Sequence, residues 1–598
     1  MPETVASILA SHRARTVTPE QTIARTITRI RAHGDAAIFI SLRDEADLLA
    51  EARALGAKNP EDYPLYGIPV AIKDNIDVAG LPTTAACPSF TYMPQHDATV
   101  VGGLRKAGAI IVGKTNLDQF ATGLVGTRSP YGIPRNPLNP DLVPGGSSSG
   151  SAVAVAAGLV PLALGTDTAG SGRIPAGLNN IVGLKPSRGM LSTTVVVPAC
   201  RSLDCVSVFA LTVDDAFAAL QVMAAHDPSD PFSRSIPPGE LLPSNPHVKI
   251  GVPRLQDLHF FGDAQAEASF SSAIENLAQL NAEVIEVDFT PFLETARLLY
   301  EGPWIAERYA AVGAFIEAHL PDIHPITRNI IMAGKTPSAV DTFRAFYRLA
   351  ELRTQAIGIL KTIDMLMVPT VPAVYTVAQL DADPIALNSN LGTYTNFANL
   401  LDLAAIAVPN RIAANGTPFG VTLLAPARQD ATIAGFADRL HRQADLPLGA
   451  LGIKRQANTN LGLNASHPDK VALVVVGAHM SGMPLNNELR ILGANLMERC
   501  ITSPDYRLFA LPGTVNKPGL LRVSDNEGTS IEAEIWSLSF EAFGRFVATV
   551  PPPMSIGTVR LADGRIEKGF LVEAAAINGA RDISEFGGWR PYVASAGA

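Results

Sequence analysis

The stretch of residues 145–189 constrains the fold of this chain more than any other part of its sequence. It reads GGSSSGSAVAVAAGLVPLALGTDTAGSGRIPAGLNNIVGLKPSRG, in which two glycine clusters that carry serines flank an apolar segment. Glycine lets the backbone approach a ligand closely. A serine hydroxyl beside free backbone N–H groups is the makeup of a nucleophile with its oxyanion donors. Hydrolysis is therefore the first hypothesis.

The length of the chain and the pattern of its apolar runs predict two domains, the first with an α/β fold. A chain of 598 residues with 47% apolar and 17% charged residues is expected to bury a large core and to divide into about two to four domains. From Tyr66 onward the apolar runs are short and bounded by glycine, which favours strands buried on both faces of a mixed sheet. We predict a first domain over residues 1–455, a polar linker over 456–468, and a small α+β domain over 469–598.

Several segments have a clear secondary-structure pattern. Residues 298–320 and 342–360 are predicted as long helices. Residues 108–115 match the phosphate-loop pattern GxxxxGK[ST], but the four central residues Ala-Ile-Ile-Val favour a strand over 109–112. Nucleotide binding is therefore not expected.

Composition and charge exclude several partners. The net charge is -9 and no basic block occurs, so nucleic acid is not an expected partner. The four cysteines form no disulfide framework, and Cys200 and Cys205 have no histidine nearby, which predicts reduced thiols without a metal or cofactor. The longest apolar run, residues 152–165, is too short to span a bilayer, and the N-terminus lacks a signal core. These features predict a soluble, cytoplasmic protein that does not contact membranes.

The base that would activate a serine is the next question. Residues 146–150 match GxSxG around Ser148, the nucleophile elbow of α/β hydrolases, which also needs an acid and a histidine later in the chain. The eleven histidines are scattered, so nothing favours that triad, and it stays open as an alternative. Lys73 follows the apolar run 68–72 and so ends a probable buried strand. A desolvated lysine is neutral near pH 7 and can replace histidine as the base.

Three motifs together resemble the amidase signature family of serine hydrolases. They are PVAIKDN, PGGSSSGSA and GTDTAGSGRIPA, and the resemblance covers roughly residues 20–450. It implies an α/β/α sandwich around a mixed sheet and a Ser–cis-Ser–Lys triad. By motif position Ser171 is the nucleophile, Ser147 is the bridging serine in a cis peptide, and Lys73 is the base. The backbone N–H groups of the loop formed by Thr168, Ala169 and Gly170 are then the oxyanion donors, and Asp167 and Arg173 form a pair that braces this loop.

A second resemblance concerns the substrate. The segment LLYEGPWIAERYAAV, residues 298–312, resembles the substrate-recognising segment of allophanate hydrolases, a branch of this family, and so does the domain that begins at Val471. It implies that Tyr300 and Arg308 hold the carboxylate of allophanate, a small anionic amide. Both can face one side if a continuous helix carries them, and Gly123 is expected to line the same pocket.

The resemblance extends to the C-terminal domain and to assembly. It implies a γ-glutamylcyclotransferase-like fold whose role is decarboxylation of the first product, with His479 as the candidate functional residue, and a homodimer. Two alternatives remain: an amidase with broader small-amide specificity, and an amidotransferase-type subunit that works only in a complex. The last is disfavoured because all three triad positions are filled and the C-terminal unit differs from the usual tail of that subunit.

Overall fold

The chain forms two compact units in the computed structural model. The structure describes residues 3–241, 248–455, 470–512, 517–524 and 527–596. Unit 1 comprises residues 1–238 and 246–461, and unit 2 comprises residues 239–245 and 462–598. The linker predicted over residues 456–468 lies outside the described residues.

A large mixed sheet organises unit 1. Its described strands lie in the order β1-β3-β2-β4-β6-β5-β10-β11-β9-β7-β8. They are β1 Phe39–Leu42, β2 Pro69–Lys73, β3 Ile110–Thr115, β4 Leu162–Thr166, β5 Val182–Lys185, β6 Val206–Ala210, β7 Val248–Pro253, β8 Ala282–Val287, β9 Met365–Pro369, β10 Leu403–Ile412 and β11 Pro418–Pro426. Every residue of β2, β3 and β4 is buried, as expected for strands covered on both faces. The predicted α/β class with a mixed sheet is confirmed.

Helices connect and pack against the strands of this sheet, and their bounds follow in chain order. They are α1 Val5–Arg13, α2 Pro19–His33, α3 Glu45–Gly56, α4 Thr99–Lys106, α5 Ser149–Ala156, α6 Ile174–Leu178, α7 Val213–Met223, α8 Ala264–Leu277, α9 Thr290–Glu301, α10 Trp304–Ala318, α11 Pro325–Ala333, α12 Ala339–Leu360, α13 Val377–Ala382, α14 Ala386–Leu391, α15 Phe397–Leu400 and α16 Asp430–Ala444. Helix α2 begins with a Thr18–Gln21 capping box and has Pro19 in its first turn. None of the described helices is long and apolar enough to cross a membrane.

The prediction of one long helix over residues 298–320 is wrong. Helix α9 ends at Glu301 and α10 begins at Trp304. Gly302 has φ -96° and ψ -172°, an extended conformation. Pro303 causes the break, because proline lacks an N–H donor and disfavours the helical conformation of the residue before it.

The phosphate-loop pattern is a strand in the structure. Its last six residues form β3, and the Lys114 Nζ is 3.0 Å from Asp74 Oδ1 in a fully buried ion pair. Since these residues belong to the sheet, they cannot form the loop that a phosphate needs.

Unit 2 has an α+β fold of its own. Its described strands form a sheet in the order β13-β16-β12-β18-β17 and a smaller one in the order β15-β14-β19. Its elements are β12 Lys470–Val475, α17 Asn486–Ile491, β13 Asn495–Ile501, β14 Tyr506–Leu511, β15 Lys517–Arg522, β16 Glu532–Ser539, α18 Phe540–Thr549, β17 Met554–Arg560, β18 Ile566–Val572, β19 Arg581–Asp582 and α19 Trp589–Ala596. A separate hydrophobic core that includes Leu473, Trp536 and Phe546 holds them together.

Candidate active site

Two neighbouring parallel strands bring the candidate base to the serine loops. β2 and β4 pair in parallel, with Ile72 opposite Leu164, so the ends of both strands lie at the same edge of the sheet. Lys73 ends β2 and is fully buried. Its Nζ lies 2.7 Å from Ser147 Oγ and 2.8 Å from Thr166 Oγ1. Burial lowers the pKa of Lys73 to about 7, so a large fraction of this amine is neutral at neutral pH.

Ser147 follows a cis peptide bond. The Gly146–Ser147 peptide is cis, as the resemblance implied. Gly146 is required here because a Cβ at this position would collide with the carboxylate of Asp118 and with the backbone of Gly126. The Asp118 backbone N–H donates to the Ser147 carbonyl at 3.1 Å. Ser147 is therefore held in a fixed orientation with its hydroxyl directed at Lys73.

Ser171 lies in the loop between β4 and α6. The Arg173 guanidinium grips the Asp167 carboxylate through two bonds, of 2.8 and 2.9 Å, and the Gly172 N–H donates to the same carboxylate at 3.1 Å. The side-chain amide of Asn399 donates to the carbonyls of Asp167 and Thr168. These bonds brace the loop, and Ser171 is 3% exposed within it.

The backbone N–H groups of this loop are available to a ligand. Among the described residues, no hydrogen bond occupies the N–H of Thr168, Ala169, Gly170 or Ser171. The Thr168 hydroxyl donates to Asp204 Oδ1 at 2.5 Å, which anchors the start of the loop. Burial raises the pKa of Asp204 to about 6. Donors left free on a braced loop are suited to stabilise an oxyanion.

A substitution at Gly170 tests this arrangement. Gly170 has φ +141°, and a Cβ there would lie 2.8 Å from Thr395 Cβ and closer to its hydroxyl. We expect Gly170→Ala to lower kcat/KM by about 10²-fold or more because the oxyanion donors move, and to lower the free energy of unfolding by about 1–3 kcal/mol.

Steady-state kinetics and thermal denaturation measure both effects. Gly80→Ala is the matched control, since Gly80 also has a positive φ, +78°, but a Cβ there meets nothing within 4 Å. Equal activity losses in the two variants would contradict the role given to Gly170.

Arg308 and Tyr300 meet although the helix between them is broken. Arg308 on α10 is buried, and its Nη2 lies 3.4 Å from the Tyr300 hydroxyl on α9. The guanidinium carbon is 5.4 Å from the Tyr300 ring centroid, which is cation–π distance. Arg308 Nη1 lies 3.3 Å from the Thr122 hydroxyl. Tyr300 and Arg308 are therefore brought together by the packing of α9 against α10, and not by their spacing along a single helix.

The buried positive charge of Arg308 is not neutralised by a carboxylate. Within the part of the chain that the structure describes, no carboxylate oxygen lies within 4.0 Å of the guanidinium group of Arg308 or of that of Arg128, which is also buried. The Arg308 Nε is buried without a hydrogen-bond partner in the same set of residues. A buried cation in this condition is costly unless an anionic ligand pairs with it.

Gly123 lies in the turn next to this cation. The turn wraps the Asp118 carboxylate, which accepts backbone N–H bonds from Gly126 at 3.0 Å and from Arg128 at 2.9 Å. A Cβ on Gly123 would be 2.6 Å from Asp118 Oδ2. Glycine is thus needed for the turn to close, and the turn presents its neighbour Thr122 to Arg308.

Sequence reasoning missed Thr122, Arg128, Thr166 and Asp204. Thr166 contacts Lys73 only because β2 and β4 pair in parallel, and that pairing has no signal in the sequence. Thr122 could have been found, since it adjoins Gly123. As for metals, the described residues contain no cluster of three His, Cys, Asp or Glu side chains that could hold an ion.

His479 lies in unit 2, in the turn after β12. Its Nε2 is 3.0 Å from Glu488 Oε2, and its ring stacks on Phe570 with centroids 5.1 Å apart and meets the Phe546 ring edge-on. These contacts hold the ring in place, and the side chain lines a pocket of unit 2.

Comparisons with known proteins agree with this fold and site. Residues 21–434 match the amidase family model, and residues 471–594 match the allophanate hydrolase C-terminal domain. Urea amidolyase from Saccharomyces cerevisiae is 45% identical over 93% of this chain, and the chain spans 31% of that protein's length. A glutamyl-tRNA(Gln) amidotransferase protein from a Synechococcus strain is 35% identical over 67% of this chain and 89% of its own.

A solved structure covers both units. Allophanate hydrolase from Kluyveromyces lactis superposes with a TM-score of 0.79 and 41% identity, over 99% of this chain and 98% of the other. The fold and the family are those of amidohydrolases. The chain belongs to the amidase family, and its C-terminal part is an allophanate hydrolase C-terminal domain.

Proposed function

We propose that this chain hydrolyses allophanate. The observation that carries the proposal is the buried, unneutralised guanidinium of Arg308, which belongs to the same unit as the buried lysine and serines. Allophanate carries the missing carboxylate at one end and a primary amide at the other. An Arg fork is suited to bind that carboxylate, so that the amide is left for Ser171.

The first step uses Ser171, Ser147 and Lys73 in turn. Neutral Lys73 accepts the Ser147 proton while Ser147 accepts that of Ser171, since a hydroxyl both donates and accepts. The Ser171 oxygen attacks the amide carbon, the loop N–H groups of Thr168, Ala169 and Gly170 hold the developing oxyanion, and the C–N bond breaks. The nitrogen takes the relayed proton and leaves as ammonia, and Ser171 carries the acyl group.

Water completes the hydrolysis by the same route in reverse. It loses a proton to the relay and attacks the acyl carbon. The bond between this carbon and the Ser171 oxygen then breaks, and the relay returns the proton to that oxygen. The product is N-carboxycarbamate, an iminodicarboxylate with two carboxylates on one nitrogen. The first unit thus accounts for one of the two ammonia molecules of allophanate.

We assign the next step to unit 2. Loss of CO2 from N-carboxycarbamate breaks one C–N bond, leaves its electron pair on nitrogen, and needs one proton there. The carbamate that results takes up a further proton and yields a second CO2 and a second ammonia. His479, held in its pocket by Glu488 and Phe570, is the candidate for positioning this product, and the match of residues 471–594 to the allophanate hydrolase C-terminal domain supports the assignment.

A broader amidase is the alternative, and a substrate panel separates the two. Allophanate, malonamate, biuret and simple aliphatic amides are compared by kcat/KM for ammonia release. We expect the two carboxylates, allophanate and malonamate, to react fastest. Faster turnover of the simple amides with no activity on allophanate would contradict the proposal.

A homodimer and a cytoplasmic location are also part of the proposal, on the strength of the resemblance to allophanate hydrolases. Light scattering tests the homodimer.

Arg308→Met sharpens this test. Methionine keeps much of the apolar volume but removes the charge, so we expect kcat/KM on allophanate to fall by about 10²- to 10³-fold, which corresponds to about 3–4 kcal/mol of lost binding to a charged group. The loss on a neutral aliphatic amide should be under 10-fold. Arg353→Met is the control, because Arg353 is a partly buried arginine on α12 that donates to the Leu400 carbonyl. Equal losses of kcat/KM on charged and neutral amides would indicate that Arg308 has only a structural role.

A further inference from the structure

The pocket of unit 2 is apolar apart from a few ionisable groups. It has a volume of about 440 Å³. Its walls include Ile491, Leu492, Phe546, Val550, Met554 and Phe570. Among the described residues that line it, the ionisable side chains are those of His479, Glu488 and Lys517. Two of them already interact, because His479 Nε2 lies 3.0 Å from Glu488 Oε2.

Lys517 is the ionisable group of this pocket that has no carboxylate partner. It begins β15, and no carboxylate oxygen of the described residues lies within 4.0 Å of its ammonium. His479 and Lys517 both line this pocket. Burial lowers the pKa of the His479 imidazole, the Glu488 carboxylate opposes that shift, and the positive charge of Lys517 adds a smaller lowering.

The packing around Gly477 places Lys517 at this position. A Cβ on Gly477 would lie 2.5 Å from Pro518 Cδ. The glycine lets the β14–β15 hairpin close against the turn that follows β12, and that turn carries His479. This contact sets the position of the Lys517 backbone beside the pocket, and the Lys517 side chain lines that pocket.

We propose that Lys517 is the anion-binding residue of a site for small dicarboxylates in this pocket, where it holds one carboxylate next to the His479 ring. The naming of the natural ligand, N-carboxycarbamate, rests on the proposed function; the site itself rests on the placement of Lys517 and His479. A single ammonium in an apolar pocket orients one carboxylate. The second carboxylate then lies against apolar walls, which solvate a charge poorly and favour its departure as neutral CO2. Its C–N bond breaks, the electron pair stays on the nitrogen, and the nitrogen takes one proton from water.

Malonate is the probe, because it replaces the central nitrogen of the iminodicarboxylate by a methylene group and cannot lose CO2 by the same route. The full chain is titrated with malonate while the imidazole signal of His479 is followed by NMR, with His479→Gln to assign it. This readout is local to unit 2. We expect a saturable shift in the unmodified chain and an increase in the pKa of His479, since a bound anion stabilises the imidazolium.

Three substitutions decide the role of Lys517. Lys517→Met should weaken malonate binding by at least about 10-fold, the loss of one charge-assisted bond, and Lys517→Gln serves if the first variant folds poorly. Lys517→Arg should stay within about 3-fold of the unmodified chain. Lys568→Met is the control, since Lys568 is an exposed lysine of β18 outside the pocket. Unchanged binding in Lys517→Met, or no response of His479 in the unmodified chain, overturns the inference.

Ammonia release from allophanate separates this inference from the proposed function. If the unmodified chain turns over allophanate but Lys517→Met binds malonate normally, the inference falls and the proposed function stands. If malonate binds through Lys517 while allophanate is not hydrolysed, the proposed function falls and the site stands. Where both hold, Lys517→Met should release the first ammonia at the unmodified rate and evolve CO2 more slowly.

Discussion

Ser171→Ala is expected to lower kcat for ammonia release by at least about 10⁴-fold, the effect of removing the nucleophile from a serine hydrolase. The fold should persist, because the Asp167–Arg173 pair and the Asn399 amide brace the loop without the Ser171 hydroxyl. Ammonia release is measured with an excess of allophanate, and thermal denaturation checks that the variant is folded.

Ser149→Ala is the matched control for this experiment. Ser149 is a buried serine at the start of α5, and its hydroxyl has no hydrogen-bond partner among the described residues. Its loss should leave kcat within a few-fold of the unmodified chain. Turnover retained in Ser171→Ala, or lost equally in both variants, would remove Ser171 as the nucleophile.

Lys73→Met is expected to lower kcat/KM by about 10³-fold or more, since the serine hydroxyls lose the group that takes their proton. The pH profile gives the sign. The base acts in its neutral form, and the pKa of Lys73 is lowered to about 7 by burial. In the unmodified chain kcat/KM should therefore rise as the pH increases through about 7 and then level off, and this rise should disappear in the variant.

Stability supplies the internal control for Lys73→Met. A lysine whose pKa is lower in the folded state than in the unfolded state destabilises the fold at every pH below its ordinary value of 10.5. Replacement by an apolar side chain of similar length should leave the melting temperature at pH 7 unchanged or higher. Loss of activity together with a large drop in melting temperature would instead indicate a structural role.

The sequence places a candidate site residue well where a local pattern surrounds it. The apolar run before Lys73 predicts a buried strand that ends at this lysine, and the structure has Lys73 buried at the end of β2. Thr166 could not be identified in this way, because its contact with Lys73 depends on the parallel pairing of strands about ninety residues apart. The roles of Lys73, Ser147 and Ser171 stay predictions until the variants are measured.

The fold shows the same division between local and non-local information. The apolar runs mark β2, β3 and β4, but no local pattern gives the order in which β9, β7 and β8 complete the sheet. The break between α9 and α10, by contrast, has a local signal, because Gly302 and Pro303 favour the end of a helix at this point. Helical periodicity on both sides of this pair favours one continuous helix, whereas the structure has two.

The break between α9 and α10 lies in the part of the fold that carries Tyr300 and Arg308, apart from the strands that carry the proposed catalytic groups. The proposed catalytic groups Lys73 and Ser171 lie at the end of β2 and in the loop after β4. Tyr300 and Arg308, the proposed carboxylate-binding pair, lie on two helices that are joined by two residues. A change in the angle between α9 and α10 would move Tyr300 relative to Arg308 without altering β2 or the loop after β4. If the proposed roles hold, substitutions at this break should change substrate preference more than they change the chemical step.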